Sequence, residues 1–459
     1  MKSYELSPTY ENLIETFSKD TISRNSDIFR FVSILDNVSD SCSIALDGSW
    51  GSGKTFFVKQ SKMVLDAFND FVTSDITKDR DTIKGIWGQA TQKGLSLQPQ
   101  VSVYYDAWEN DNDEEPVLSL IYSILKSVDT DFSFSKGTGC LTKAAALLEF
   151  FTGKKWTQII ESFKSTSPLT ELEASKNLEN LIKEFFDSLL AERGNRLIVF
   201  IDELDRCKPV FAVKLLERIK HYFSNDRITF VFSINTNELQ HTIKRYYGDE
   251  FDACRYLDRF FDLRISLPQA NLQRYYQSIN FNNSHYTYDI VCDAVIKAYH
   301  FELREIAKFI RLSKIAAYAP THDDRRFDFS FSDGRAIQFG LLYITPIMIG
   351  LKISDSTRYE EFINGKDYMP LVEVSDNLRE RFFEELLGNN EVYEKPKAEQ
   401  VVVTIESKLK QVYEAIFVKE YDGRNYCTTV GSYQFSAETK QVLLRTASLL
   451  SNYTQFNID

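Results

Sequence analysis

Nothing in these 459 residues is spaced to hold a transition metal. The six cysteines, at 42, 140, 207, 254, 292 and 427, never form a C-x-x-C pair, and the five histidines show no H-E-x-x-H or similar spacing. No zinc site is implied, and the scattered thiols are expected to be buried in a reducing compartment. Basic residues are also short: 54 Lys and Arg against 66 Asp and Glu give a net charge of -12. That excludes a general nucleic-acid coat, which depends on clustered cations, although a local basic patch stays compatible. The first residues, Met1-Lys2-Ser3-Tyr4-Glu5-Leu6, carry charge and no apolar core of signal-peptide length, so a cytoplasmic location is expected. Long apolar runs are missing as well. The longest, Ala336 to Leu351, is short for a bilayer crossing and is broken by Gln338 and Pro346, which predicts a buried helix pair and makes membrane association an unfavoured reading. Asp111-Asn112-Asp113-Glu114-Glu115 lacks the glycine and closing glutamate of a calcium loop and reads as solvated. There is no internal repeat; Lys395 to Glu399 is a possible hinge.

What the chain does have is Gly48-Ser49-Trp50-Gly51-Ser52-Gly53-Lys54-Thr55, the pattern G-x-x-x-x-G-K-[ST]. Glycines at 48, 51 and 53 permit turns in which backbone N–H groups converge on a phosphate, and Lys54 adds a point charge there. Thr55, opening the next helix, would place its hydroxyl on Mg²⁺, and the helix N-terminus favours the anion. The context agrees: Ser43 to Asp47 reads as a short buried strand, and Phe57, Ser61, Val64, Leu65 and Phe68 recur afterwards at helical spacing.

Leu197 to Ile201 is a continuous apolar run, as expected of a parallel strand covered on both faces, and it ends in Asp202-Glu203-Leu204-Asp205-Arg206. Asp202 is the expected metal carboxylate and Glu203 the residue that polarises the attacking water. Further strands are predicted at Val101 to Tyr105, Ile228 to Ile234 and Phe261 to Ile265, separated by helical stretches, so a parallel α/β sheet follows. A strand lying between the phosphate-loop strand and the Asp202 strand is the order expected of the additional-strand ATPases. Asn235, just past the fourth strand, is placed to orient the lytic water. Tyr104, Tyr105 and Trp108 read as core packing, and some of the 24 tyrosines and 35 phenylalanines are expected at a protein interface.

With these residues the chain resembles the KAP P-loop NTPases, a branch of the STAND and AAA-like ATPases. The resemblance rests on Ile44 to Thr55, on Tyr105-Asp106-Ala107-Trp108-Glu109, on Phe200 to Pro209, and on Arg255-Tyr256-Leu257-Asp258-Arg259-Phe260-Phe261 with Leu267-Pro268, and it covers roughly residues 15 to 320. Two departures stand out: many members insert transmembrane helices between the Walker motifs, where this chain has only the short tract Ala144 to Phe151, and the family often has Asp at the place of Asn235. The fold class implied is α/β, a P-loop NTPase parallel sheet flanked by helices, with a helical lid and a mainly helical C-terminal region. The boundaries expected are 1–268 for the core with its N-terminal helix (Asp20 to Asp36, a stripe of Ile28, Phe29, Phe31, Val32 and Leu35), 269–320 for the lid and 321–459 for the rest. Within the last region helical patterns run through Leu378 to Leu387 and Leu443 to Leu450, and Arg326 to Phe331 alternates as a strand or packed loop.

By the same resemblance Arg206, Arg255 and Arg259 are the candidate fingers, the last two lying four apart where both could face a neighbouring nucleotide, and Arg304 is a candidate sensor on the lid. Arg206 serves the site or caps the following helix. Pairing of Arg255 and Arg259 with Asp252, Asp258 or Asp262 is the alternative. ATP and Mg²⁺ are the implied cofactors, with ATP not separable from GTP by sequence. The expected activity is ATP hydrolysis driving a conformational or assembly switch, with a homo-oligomer or a partner effector protein; the family's occurrence in phage exclusion implies a defence role. The alternative is a nucleotide-gated scaffold with little turnover.

Overall fold

The computed structural model describes residues 7–90, 97–131, 168–223, 225–278, 281, 287–317, 334–383, 398–422 and 425–450. Its contacts divide into two compact units, residues 7–272 and residues 273 onward.

The first unit is built on five parallel strands: β1 (Cys42–Asp47), β2 (Gln100–Asp106), β3 (Arg196–Asp202), β4 (Ile228–Ile234) and β5 (Leu263–Ser266). Their spatial order is β2-β3-β4-β1-β5, so β4 lies between the phosphate-loop strand and the Asp202 strand, as expected. Every residue of β3 and β4 is buried, which is why both read as unbroken apolar runs and not as alternation. The register sets the site. Asp106 pairs with Asp202, Asp202 with Ser233, Ser233 with Leu46 and Leu46 with Ile265, so the carboxyl ends of all five strands finish within a residue or two of one row.

Nine helices surround this sheet among the described residues: α1 (Tyr10–Lys19), α2 (Asn25–Asn37), α3 (Lys54–Ala67), α4 (Arg80–Ala90), α5 (Pro116–Asp131), α6 (Pro168–Arg193), α7 (Pro209–Tyr222), α8 (Thr236–Tyr247) and α9 (Ala253–Leu257). The stripe Ile28, Phe29, Phe31, Val32 and Leu35 of α2 is fully buried, each side chain contributing roughly 1.5–3 kcal/mol of apolar transfer. The helix expected over Asp20 to Asp36 is α2 but starts later, at Asn25, because Asp20 and Ser23 take φ of 46° and 54° and turn the chain between α2 and α1, a helix that was not anticipated. The fifth strand starts at Leu263 and not at Phe261. Phe261 packs edge-on against Phe232 at 5.3 Å, and Asp262 accepts the Ser43 amide through its carboxylate at 2.8 Å.

Among its described residues the second unit is helical apart from one antiparallel hairpin, Thr428–Val430 with Tyr433–Phe435, which the sequence pattern did not anticipate. Helix Leu303–Ala317 buries Ile306, Phe309 and Ile310 as expected, while Ile315 is half-buried. In place of a helix pair, Arg335–Ser354 forms one continuous run, long and apolar enough to cross a membrane yet largely buried within the protein. Its middle, Gly340–Ile344, is a π turn, and that wider turn admits Pro346 without breaking the helix. The helical pattern at Leu378 to Leu387 gives only a 3-10 turn, Glu380–Phe383, preceded by non-helical Leu378 and Arg379, and residues 384–387 lie outside the described residues. The last helix among the described residues is Ala437–Ala447; it stops there because Leu449 takes φ 57°. Of the cysteines, Cys42, Cys207 and Cys292 are buried as expected, but Cys254 is exposed and Cys427 half-exposed. Cys140, Ala144 to Phe151, Arg326 to Phe331 and the Lys395 to Lys397 part of the possible hinge lie outside the described residues.

Candidate nucleotide site

The loop from Gly48 to Gly53 leaves β1 and enters α3 through two left-handed glycines, Gly51 at φ 84° and Gly53 at φ 89°. A side chain at either position would be strained. Gly48 is constrained differently, by close packing: a Cβ there would stand 3.0 Å from Ser52 Oγ and 3.4 Å from Leu267 Cβ. Lys54, the first residue of α3, is buried and turns back over the loop, its Nζ donating to the carbonyls of Gly48 at 2.6 Å and Ser49 at 3.1 Å. Burial lowers its pKa; Asp205, Asp202 and Glu203 act against that shift. Ser52 Oγ is buried without a hydrogen-bond partner in the structure, a donor held inside the loop. The loop itself is anchored from below, with Gly48 N–H donating to Ile234 and Asp47 Oδ1 accepting Thr236 N–H at 2.8 Å.

Across the row, β3 delivers Asp202 at 1% exposure. Tyr104 of β2 donates its hydroxyl to Asp202 Oδ2 at 3.0 Å, and Glu203 N–H caps Oδ1 at 3.1 Å. Burial and the Asp202 carboxylate push the Tyr104 phenol well above its usual range, so it stays a donor. Glu203 then departs from the strand at φ 61°, the left-handed region a glutamate rarely occupies. Burial, with Asp202 beside it, pushes the Glu203 carboxyl up to about 7, against the opposing charges of Arg206 and Lys54. Arg206 pairs with it through Nε and Oε2.

Asp205 is the residue that reasoning from motif positions passed over. Buried at 5% exposure, it accepts the Trp50 indole N–H at 2.6 Å, and burial raises its pKa while Trp50, Lys54 and the Asn235 backbone oppose the shift. It thus joins the phosphate loop, the turn after β3 and the start of α8. Its position, three after Asp202 in a one-turn helix, was the available signal. Arg24 was also missed. At 3% exposure it donates Nη1–H to the Ser52 carbonyl at 2.6 Å and Nη2–H to the Pro268 carbonyl at 2.7 Å, bracing the loop against the chain leaving β5. Tyr104, read as core packing, does pack against the core and in addition reaches Asp202; Tyr105 is buried as expected, and Trp108 is 53% exposed, not packed in the core.

Asn235 stands at the end of β4 as expected, where its Oδ1 caps α8 by accepting the amides of Asn237 at 3.1 Å and Glu238 at 3.4 Å. Arg255 lies in α9 and Arg259 just beyond it, both exposed. The acids expected to pair with them are engaged elsewhere: Asp252 caps α9, Asp258 pairs with Arg264 at 2.5 Å, and Asp262 holds Ser43. Arg304 is an exposed residue of the first turn of Leu303–Ala317, in the second unit.

The donor chemistry fits Mg²⁺ carried by a phosphate chain. Thr55 and Asp202 offer oxygen only, which suits a hard cation, and no group of three or more His, Cys, Asp or Glu among the described residues could hold an ion by itself.

Comparison with known proteins adds the family. The profile of the KAP family P-loop domain matches residues 24–286. An uncharacterized protein of Methanocaldococcus jannaschii is 49% identical over 49 residues, 11% of this chain and 25% of that protein, so the match spans a quarter of that relative's length. Among solved structures, the Aeropyrum pernix ORC2 protein, in its ADPNP-ADP complexes, aligns with a TM-score of 0.35 and 12% identity over 85% of this chain and 94% of its own. C. elegans PCH-2 aligns at 0.22 and 11%, over 88% of this chain and 70% of its own. With its Gly48–Thr55 loop, its inserted β4 strand and a profile match over more than half its length, the chain belongs to the KAP family of P-loop domains.

Proposed function

We propose that the protein binds a Mg²⁺–nucleoside triphosphate, ATP in the first instance, and hydrolyses it to drive a conformational or assembly switch. The observation that carries this reading is the convergence of Lys54, Asp202 and Glu203 at the carboxyl edge of one parallel sheet, beside a loop with two left-handed glycines. The amides of Gly48, Ser49, Trp50, Gly51, Ser52 and Gly53 and the α3 N-terminus hold the phosphates, with Lys54 as the charge among them. Thr55 and Asp202 would hold Mg²⁺, which supplies charge neutralisation when bound. Glu203, with its raised pKa, takes a proton from the attacking water, and the Asn235 amide orients that water. Arg259, exposed, would reach a neighbouring chain, and Arg304 would act as a sensor, as the family resemblance implies. A homo-oligomer or a partner effector would read the switch, and the family resemblance supports phage defence as its setting.

One pair of contacts favours the second reading, a nucleotide-gated scaffold with little turnover: Glu203 is engaged by Arg206, and Asn235 Oδ1 by its own helix. Phosphate release by wild type, Lys54→Ala and Glu203→Gln separates the two. Release lost in both variants supports the hydrolase; tight ATP binding with no release by wild type supports the scaffold.

A further inference from the structure

Leu204–Arg206 is a single 3-10 turn, opened by Glu203 at its N-cap in a left-handed conformation. Across that turn Glu203 pairs with Arg206, with only 19% and 22% of their side chains exposed. The guanidinium is also flanked by two indoles, its central carbon lying 5.4 Å from the Trp50 ring centre and 5.5 Å from that of Trp108. Trp50 belongs to the phosphate loop and Trp108 to the turn after β2, so the loops leaving β1, β2 and β3 meet on one side chain. Trp50 is further fixed by its hydrogen bond to Asp205. A planar guanidinium can stack against rings and still donate in its plane, which an ammonium cannot do.

We propose that Arg206 is a positioning residue for Glu203 that acts within its own chain: Trp50 and Trp108 hold the guanidinium, and the guanidinium holds the Glu203 carboxylate in its working orientation. The inference rests on the hydrolysis proposed above and deepens it, because any reshaping of the phosphate loop moves Trp50 and so reaches Glu203 through Arg206. It also removes Arg206 from the set of fingers toward a neighbour. Asp202, at the end of β3, and Asp205, in the turn, flank Glu203, and Lys54 is a second cation acting on all three acids.

The test uses the full chain with Mg²⁺-ATP. Arg206→Ala should lower kcat at least tenfold with KM and ATP affinity changed less than threefold. Arg206→Lys should stay low, and added guanidinium ion should restore part of the Arg206→Ala turnover but none of that lost in Lys54→Ala. Trp108→Ala, on an exposed edge, should move kcat the same way by a smaller factor, and it carries the same split if Arg206→Ala does not fold. An equimolar mixture of Arg206→Ala with Glu203→Gln should give no more than the sum of the two. Recovery in that mixture, unchanged kcat in Arg206→Ala, or a rise in KM alone would overturn the proposal. If wild type releases no phosphate, the hydrolysis reading fails by itself; the stack is then read from near-UV circular dichroism, where an identical tryptophan signal in wild type and Arg206→Ala would remove it.

Discussion

Trp50 donates its indole N–H to Asp205 Oδ2 at 2.6 Å, tying the tip of the phosphate loop to the turn that follows β3. The acceptor is a buried carboxylate, so the bond is charge-assisted and contributes about 1.5–3 kcal/mol. A double-mutant cycle of Trp50→Phe and Asp205→Asn, read by denaturant unfolding, should return a coupling energy of about that size. Additive effects would mean that the two elements are not linked through this bond.

Arg24 ties the same loop to the other side of the sheet. Its two bonds, to Ser52 and Pro268, are buried and charge-assisted, so Arg24→Ala should lower the unfolding free energy by about 3 kcal/mol. Differential scanning calorimetry should show a fall of roughly 6–12 °C in Tm. A shift of a degree or less would show that the brace is dispensable.

Tyr104→Phe deletes one hydroxyl and leaves the ring in place. Asp202 then loses the donor that fixes Oδ2, and the Mg²⁺ concentration for half-maximal turnover should rise about tenfold. A Mg²⁺ titration in which the two proteins superimpose would contradict the role given to this hydroxyl.

Glu203→Gln keeps the shape of the side chain and removes its capacity to accept a proton. Turnover should fall about 10²- to 10⁴-fold while the affinity for Mg²⁺-ATP changes only a few-fold. Single-turnover assays with the variant check this; a loss of binding in place of a loss of rate would assign Glu203 to the phosphates and not to the water.

The sheet and the loop were legible because their signals are local. Leu197 to Ile201 and Ile228 to Ile234 are apolar without interruption, and β3 and β4 are covered on both faces. The Gly48 to Thr55 spacing is dictated by backbone geometry, and Gly51 and Gly53 take the left-handed conformation that spacing requires. What the sequence concealed depends on chain reversals and on partners distant along it. Asp20 and Ser23 delay the start of an expected helix to Asn25 through their φ values alone. Arg24 meets Pro268 across 244 residues, and Trp50 meets Asp205 across 155, so neither bond has a local signature. The π turn at Gly340–Ile344 hid for the opposite reason: Pro346 marks a break by local rule, and the wider turn absorbs it.

The measurement that bears most directly on the central claim is isothermal titration calorimetry of the folded protein with Mg²⁺-ATP and Mg²⁺-GTP, beside Lys54→Ala. The account predicts saturable, Mg²⁺-dependent binding of at least one triphosphate at about one site per chain, weakened about 30-fold or more in Lys54→Ala, the equivalent of about 2 kcal/mol for a lost charged contact. Absence of binding heat from either nucleotide at several temperatures, with folding verified by circular dichroism, would contradict it.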